Sequence, residues 1–379
     1  MSVYWSALAH DLSPYVPGEQ PKDRKLIKLN TNENPYPPSP KVLDAINKAA
    51  NESLRLYPDP ACTLLREAVA KRWGIKHEQV FAGNGSDEIL AFAFAAFFNR
   101  RGSIGTENKG KDGPLLFPDI TYSFYPVYAA LWDIPYENPE LAGDFSIDPD
   151  DYKQKSGGVI LPNPNAPTGK ALGIHALKDI AAALEKNKKV FIIDEAYIEF
   201  ANENGTGSMV PFINDHPNVL VIRTLSKDAS LAGLRAGYAA GSEELIEGLC
   251  RLRDSFNSYT VDRIAQAAAA AAISDTSYYN EINRRIILTR DRTTEALRDM
   301  GFRVIPSQAN FIFASPPAAG QTAVPFTAAA MLASLRDEGI LVRHFNKPKI
   351  DNYLRISIGT DEEMDTLLKV CKKLTGRGS

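Results

Sequence analysis

The stretch Val219-Leu220-Val221-Ile222, then Thr224-Leu225-Ser226-Lys227, then Leu231-Ala232-Gly233-Leu234-Arg235 decides how the chain is read. The first four residues read as a buried strand. A lysine at the end of such a strand is badly placed unless chemistry needs it there. A hydroxyl stands beside it, and an arginine follows eight residues on, with small residues between. That set suits an aldehyde cofactor carrying a phosphate: the amine makes an imine, while serine and arginine hold the phosphate. Taken alone, the stretch reads equally as a solvated lysine in a loop.

Three further segments, all upstream of this one, bear on that choice. Val190-Phe191-Ile192-Ile193 runs straight into Asp194, then Glu195-Ala196-Tyr197. This pattern fits a parallel strand buried on both faces, with a carboxylate at its C-terminal edge. A buried acid needs a cation or hydrogen bonds, and a protonated pyridine nitrogen is such a partner. Tyr197 stands within reach of a ring hydroxyl; a helix-capping aspartate is the plainer alternative. Gly158-Val159-Ile160-Leu161 ends in the turn Pro162-Asn163-Pro164-Asn165-Ala166-Pro167-Thr168-Gly169-Lys170. An Asn amide there can donate to a phenolate oxygen, although Pro and Asn also make ordinary turns. Phe81-Ala82-Gly83-Asn84-Gly85-Ser86-Asp87-Glu88 precedes the apolar run Ile89 to Phe98 and suits an anion at a helix N-terminus. Glu88 replaces the third glycine of a dinucleotide fingerprint, and Thr168-Gly169-Lys170 lacks the spacing of a P-loop.

Composition narrows the classes. A chain of 379 residues suggests about two domains. Hydrophobic content of 44% and charged content of 23% suit a globular protein, and a net charge of −3 gives no reason to invoke nucleic acid or a membrane surface. The longest apolar run, Ile89 to Phe98, is half of the roughly 20 residues a membrane span needs. Cys62, Cys250 and Cys371 are odd in number and far apart, which argues for a reducing compartment. No signal-peptide pattern opens the chain, so a cytoplasmic location is expected. His10, His77, His175, His216 and His344 are scattered, and no metal site is expected. No Gly-x-Ser-x-Gly elbow is present.

Strands alternate with helices from about 78 to 245, which predicts a parallel sheet with crossover helices. Asn165, Asp194 and Lys227 then fall at strand ends, where such sheets bind ligands. Residues 1–40 read as an extended arm, and the spacing of Val42, Leu43, Ile46 and Ala49 predicts a helix over Lys41 to Ser53. Thr63 opens another helix, with Glu67 near capping-box distance. Ala267 to Ala272 predicts close helix packing, and Tyr278 to Arg298 a charged amphipathic helix. The rest reads as strand, strand, helix, strand, strand, helix. Asn99 to Gly113 reads as a mobile loop and Pro316 to Ala323 as a second loop.

The four segments together resemble the fold-type I pyridoxal-phosphate enzymes, the aspartate aminotransferase superfamily, through nearly the whole chain. The narrower resemblance is to the histidinol-phosphate aminotransferases. It is carried by Leu12-Ser13-Pro14-Tyr15-Val16-Pro17-Gly18, Lys28-Leu29-Asn30-Thr31-Asn32-Glu33-Asn34-Pro35-Tyr36, Tyr57-Pro58-Asp59, Gly339-Ile340-Leu341-Val342-Arg343 and Tyr353-Leu354-Arg355-Ile356-Ser357-Ile358-Gly359-Thr360. The implied fold class is α/β, a mostly parallel central sheet with flanking helices plus a smaller α+β C-terminal domain. The implied division is an arm over 1–40, a large cofactor-binding domain over 41–275 and a small domain over 276–379.

The resemblance implies pyridoxal 5'-phosphate as cofactor and a role for each matching residue. Lys227 would form the Schiff base and shuttle a proton, with Asp194 on the pyridine nitrogen. Asn165 and Tyr197 would hold the ring oxygen, and Tyr122 would stack on the ring. Gly85, Ser86, Ser226 and Arg235 would bind the phosphate, joined by Tyr57 from the partner of a homodimer with shared active sites. Tyr15, Asn32, Arg343 and Arg355 would line the substrate pocket. The implied reaction is ping-pong amino transfer between histidinol phosphate and 2-oxoglutarate, as in histidine biosynthesis. The same groups fit an aromatic amino-acid aminotransferase or a threonine-phosphate decarboxylase and, in another class, a non-catalytic cofactor-binding regulatory domain.

The chain departs from the family pattern at Ala166, at Asp228-Ala229-Ser230 and at Ser255-Phe256-Asn257-Ser258-Tyr259. None of these removes a catalytic group; the last lies near the expected substrate side.

Overall fold

The computed structural model describes residues 3–14, 19, 26–101, 113–202, 205–317 and 327–376. Tyr15 and most of the two loops expected over 99–113 and 316–323 lie outside these.

Helix α1 (Ala7–Asp11) and the short strand β1 (Ile27–Lys28) precede α2 (Pro40–Ala49). Ser39 Oγ accepts from the Val42 amide, and proline takes the first helical position, so α2 begins where the local chemistry demands. Helix α3 (Thr63–Trp73) is capped differently from expectation. Thr63 already lies inside the helix, so it makes no capping box with Glu67. The Asp59 carboxylate instead accepts from the amides of Ala61 at 2.9 Å and Thr63 at 2.8 Å.

The central sheet has seven strands. The first half contains β2 (Val80–Gly83), α4 (Gly85–Phe97), β3 (Leu115–Leu116), α5 (Tyr125–Leu131), β4 (Tyr136–Glu137) and β5 (Gly158–Pro162). The second half contains α6 (Ile174–Lys186), β6 (Phe191–Asp194), β7 (Val219–Thr224), β8 (Gly237–Gly241) and α7 (Glu243–Phe256). Strand order is β2-β8-β7-β6-β5-β3-β4. Strands β3 to β7 pair in parallel, and only β8 runs against its neighbours β2 and β7.

The apolar runs are continuous because both faces of the sheet are covered. Val159, Leu161, Phe191, Ile193, Val219 and Val221 pack on one side with Leu177, Ile180 and Leu184 of α6. The alternate residues Ile160, Ile192, Leu220 and Ile222 pack on the other with α4, α5 and α7. Each strand thus feeds two cores with period two.

Helix α8 (Arg263–Ser274) carries the alanine run and packs closely on α2 and α3. Helix α9 (Thr276–Asp299) leads to a second sheet. Its elements are β9 (Arg303–Ile305), β10 (Phe311–Ser315), α10 (Ala328–Asp337), β11 (Ile340–Leu341), β12 (Arg343–His344), β13 (Leu354–Ser357) and α11 (Asp361–Thr375). Strands β12-β13-β10-β9 form an antiparallel sheet. The strand expected after α10 is split: β11 leaves this sheet and pairs in parallel with β1. The Leu29 amide donates to Leu341 O at 2.8 Å, and the Ser357 amide donates to Leu29 O at 3.0 Å. These bonds hold the segment that enters residues 30–34 between β11 and β13. No helix among the described residues is long and apolar enough to cross a membrane.

Candidate active site

Lys227 and Asp194 reach one cavity of about 380 Å³ from the ends of neighbouring parallel strands. Asp194 closes β6 level with Ile222, and Lys227 lies just past the end of β7. The Asp194 carboxylate accepts from Tyr125 Oη at 3.0 Å and the Ala196 amide at 3.2 Å. Burial pushes its pKa up to about 6, against those two bonds and with the nearby Asp87 charge. A carboxyl held this way is a site where a cation lowers the energy.

Lys227 Nζ donates to Thr31 O at 3.0 Å, and Asn34 Nδ2 holds the Lys227 carbonyl at 3.0 Å. Burial, then the charge of Arg355, lowers the lysine pKa to about 8, with Glu33 and Asp87 pulling the other way.

An anion-binding corner lies beside the lysine. Thr224 Oγ1 donates to Ser226 Oγ at 3.0 Å, and Arg235 Nη1 reaches the same oxygen at 3.4 Å. Gly85 and Ser86 open α4, whose first amides lack helical partners. Two glycines permit this approach. Gly85 has φ +76°, and a Cβ there would meet Arg235 Nη2 at 2.8 Å. A Cβ on Gly237 would meet Ser86 N at 2.9 Å.

Tyr122 Oη donates to Asp87 Oδ1 at 2.8 Å, which fixes its ring beside the cavity. Tyr197 Oη accepts from Asn32 Nδ2 at 3.0 Å, and its ring meets Phe311 edge-on. Asn32 adopts φ +57° and is locked there. Its amide donates to Ser357 Oγ at 2.8 Å, Ser357 Oγ donates back to Oδ1 at 2.9 Å, and Asn310 Nδ2 donates to its carbonyl at 3.0 Å. Arg343 and Arg355 line the cavity from β12 and β13, and Arg355 Nη2 donates to Asn30 O at 3.0 Å.

Ten expected residues therefore meet at one cavity: Asn32, Ser86, Tyr122, Asp194, Tyr197, Ser226, Lys227, Arg235, Arg343 and Arg355. Asn165 does not line it. Its Nδ2 donates to Ile120 O and Thr168 Oγ1, both at 3.0 Å, so the amide hydrogens expected for a ring oxygen are committed elsewhere. Its Oδ1, an acceptor, is buried with no hydrogen-bond partner among the described residues. Tyr57 also lies outside its own chain's cavity, 78% exposed and stacked on Tyr259 at 4.6 Å. Sequence reasoning missed Tyr125, Asp87, Thr224, Thr31 and Glu33. Tyr125 lies three residues after Tyr122, and the two rings meet edge-on at 5.6 Å. No group of His, Cys, Asp or Glu able to hold a metal occurs among the described residues.

The sequence model for "Aminotransferase class I and II" matches residues 24–370. The chain is 51% identical over 378 residues to a histidinol-phosphate aminotransferase of Clostridium botulinum, covering 100% of both chains. It is 50% identical over 377 residues to histidinol-phosphate aminotransferase 1 of Bordetella parapertussis, covering 99% of both. Its fold matches the crystal structure of the Sinorhizobium meliloti histidinol-phosphate aminotransferase in complex with pyridoxal-5'-phosphate, with TM-score 0.83, 26% identity and 99% of each chain covered. With its lysine, aspartate and arginines gathered at the strand ends, this chain belongs to the class I and II aminotransferases, and within them to the histidinol-phosphate aminotransferase family.

Proposed function

We propose that this aminotransferase moves an amino group between histidinol phosphate and 2-oxoglutarate, with pyridoxal 5'-phosphate as its cofactor. One observation carries the reading: Lys227 and Asp194 share a cavity with the cross-strand arginines Arg343 and Arg355. The names of the full-length relatives support the substrate.

The residues fit this cofactor. Asp194 is a buried carboxyl whose ionisation a ring N–H⁺ would favour. Ser226, Arg235 and the first-turn amides at Gly85 and Ser86 would hold the phosphate. Tyr122 would cover the ring, and Tyr197, whose hydroxyl oxygen accepts from Asn32, would reach the ring oxygen. When bound, the cofactor supplies an aldehyde carbon for the amino group and a ring that withdraws electrons.

Lys227 would carry the proton from the substrate Cα to the former aldehyde carbon of the cofactor within the first half-reaction, and in the opposite direction in the second. A lowered pKa gives it more neutral amine near neutrality than an exposed lysine has. Arg343 and Arg355 receive the glutamate carboxylate and the substrate phosphate in turn, because a guanidinium fork pairs bidentately with either.

The reading includes a homodimer with shared sites. Tyr57 is exposed beside Tyr259, and Phe256 is 76% exposed, which supports contact with a second copy. The two sheets support a cofactor-binding unit over 41–275 and a smaller unit over 276–379, with 1–40 as the arm. Three cysteines without disulfides support a cytoplasmic setting.

The test is glutamate formation from histidinol phosphate and 2-oxoglutarate by the cofactor-loaded protein. Turnover that disappears in Lys227→Ala is expected. Turnover of phenylalanine but not of histidinol phosphate would reject the substrate.

A further inference from the structure

We propose that Glu33 is a specificity-determining residue, whose carboxylate accepts a hydrogen bond from the imidazole N–H of the substrate and so separates it from phenyl-bearing amino acids. The inference rests on the histidinol phosphate reading above and names the group that makes the distinction.

Glu33 lines the same cavity as Arg343 and Arg355, with its side chain 41% exposed. Lys28 Nζ and Thr31 Oγ1 both donate to Oε2, the latter at 2.9 Å. Oε1 takes neither bond. The other two acids of the cavity are committed: Asp87 to Tyr122 and Arg235, and Asp194 to Tyr125 and the Ala196 amide. Those two acids carry a bond on each oxygen, and Asp194 is already the partner read for the ring nitrogen, whereas both bonds of Glu33 fall on Oε2, and Lys28 and Thr31 keep it ionised and oriented.

A carboxylate beside two anion-binding arginines opposes an anionic ligand unless that ligand also brings a donor. Glutamate and phenylalanine bring only the ammonium that every amino substrate carries. An imidazole adds a second N–H. A site built to bond such a group rejects an analogue lacking it far more strongly than an apolar pocket rejects a change of size.

The experiment compares Glu33→Gln with the parent, both cofactor-loaded, on histidinol phosphate and on phenylalanine. The ratio of their kcat/KM values should fall about 10- to 100-fold, the range for a hydrogen bond to a charged group. Glu33→Asp, which keeps the charge but withdraws it by one methylene, should lower the same ratio by less. Calorimetric binding of histidinol phosphate to loaded Lys227→Ala should weaken by a similar factor on adding Glu33→Gln. An equal loss on both substrates, or an unchanged ratio in the Gln or the Asp variant, would overturn the assignment. A parent that does not turn over histidinol phosphate would overturn the functional reading beneath it, which is a separate result.

Discussion

Arg343 and Arg355 are register partners on the antiparallel strands β12 and β13, and both guanidinium groups pack over the ring of Phe345, at 5.8 and 5.6 Å from its centroid. Like charges directly opposite each other destabilise a strand pair. An anion between them removes that cost, so the pair stores binding energy for a carboxylate or phosphate.

Arg355→Gln should therefore lower kcat/KM by about 30- to 5000-fold, corresponding to roughly 2–5 kcal/mol for truncating one partner of a buried charge pair. The ligand-free melting temperature should hold or rise. A normal kcat/KM with a lowered melting temperature would make Arg355 structural.

Asp194 gives a stability prediction. Its folded pKa is raised from 3.8 to about 6, so the folded state holds this proton more tightly than the unfolded one. The favourable contribution is full below pH 3.8 and is lost as pH rises through 6, at a cost of about 3 kcal/mol by pH 7. Asp194→Asn should stabilise the cofactor-free protein by about 1–3 kcal/mol at pH 7 while abolishing turnover. Urea unfolding at pH 4 and pH 7 measures it, and the gain should vanish at the lower pH.

Lys227 should react with the cofactor aldehyde as a lysine of lowered pKa. The rate of covalent attachment, trapped by borohydride and located by peptide mass mapping, should rise with pH through about 8 and level off above it. A rate still climbing toward the ordinary lysine value of 10.5 would show an unperturbed amine.

Tyr57 tests the shared site. Tyr57→Phe should weaken cofactor retention, and mixing that variant with Lys227→Ala chains should restore activity, because each hybrid dimer assembles one intact site. Absence of recovery in hybrids shown to form would remove the partner role.

The core strands were legible because β5, β6 and β7 are covered on both faces, and a continuous apolar run ending in a polar residue has few other readings. The same pattern exposed Asp194 and Lys227. What the pattern hid was placed by long-range packing. Arg223 lies inside β7, only 3% exposed, and its Nη2 donates to Asp228 Oδ2 at 3.2 Å and also pairs with Glu199. No local spacing announces a buried arginine whose partners come from two separate segments. The departure at Asp228 thus has a structural account, as a buried counter-charge to that arginine. Glu33 and Thr31 enter the cavity only because β1 pairs with β11, a contact across some three hundred residues. Asn165 was read from a strand-end turn, but its amide bonds to Ile120, which comes from a different loop.

The central claim is most directly tested by ranking kcat/KM for histidinol phosphate, phenylalanine, tyrosine and threonine phosphate on one cofactor-loaded preparation, with 2-oxoglutarate as acceptor and carbon dioxide monitored. A preference for histidinol phosphate of about a hundredfold or more, roughly 2.7 kcal/mol of discrimination, is the predicted result. A preference for the aromatic acids, or carbon dioxide release from threonine phosphate, would contradict it.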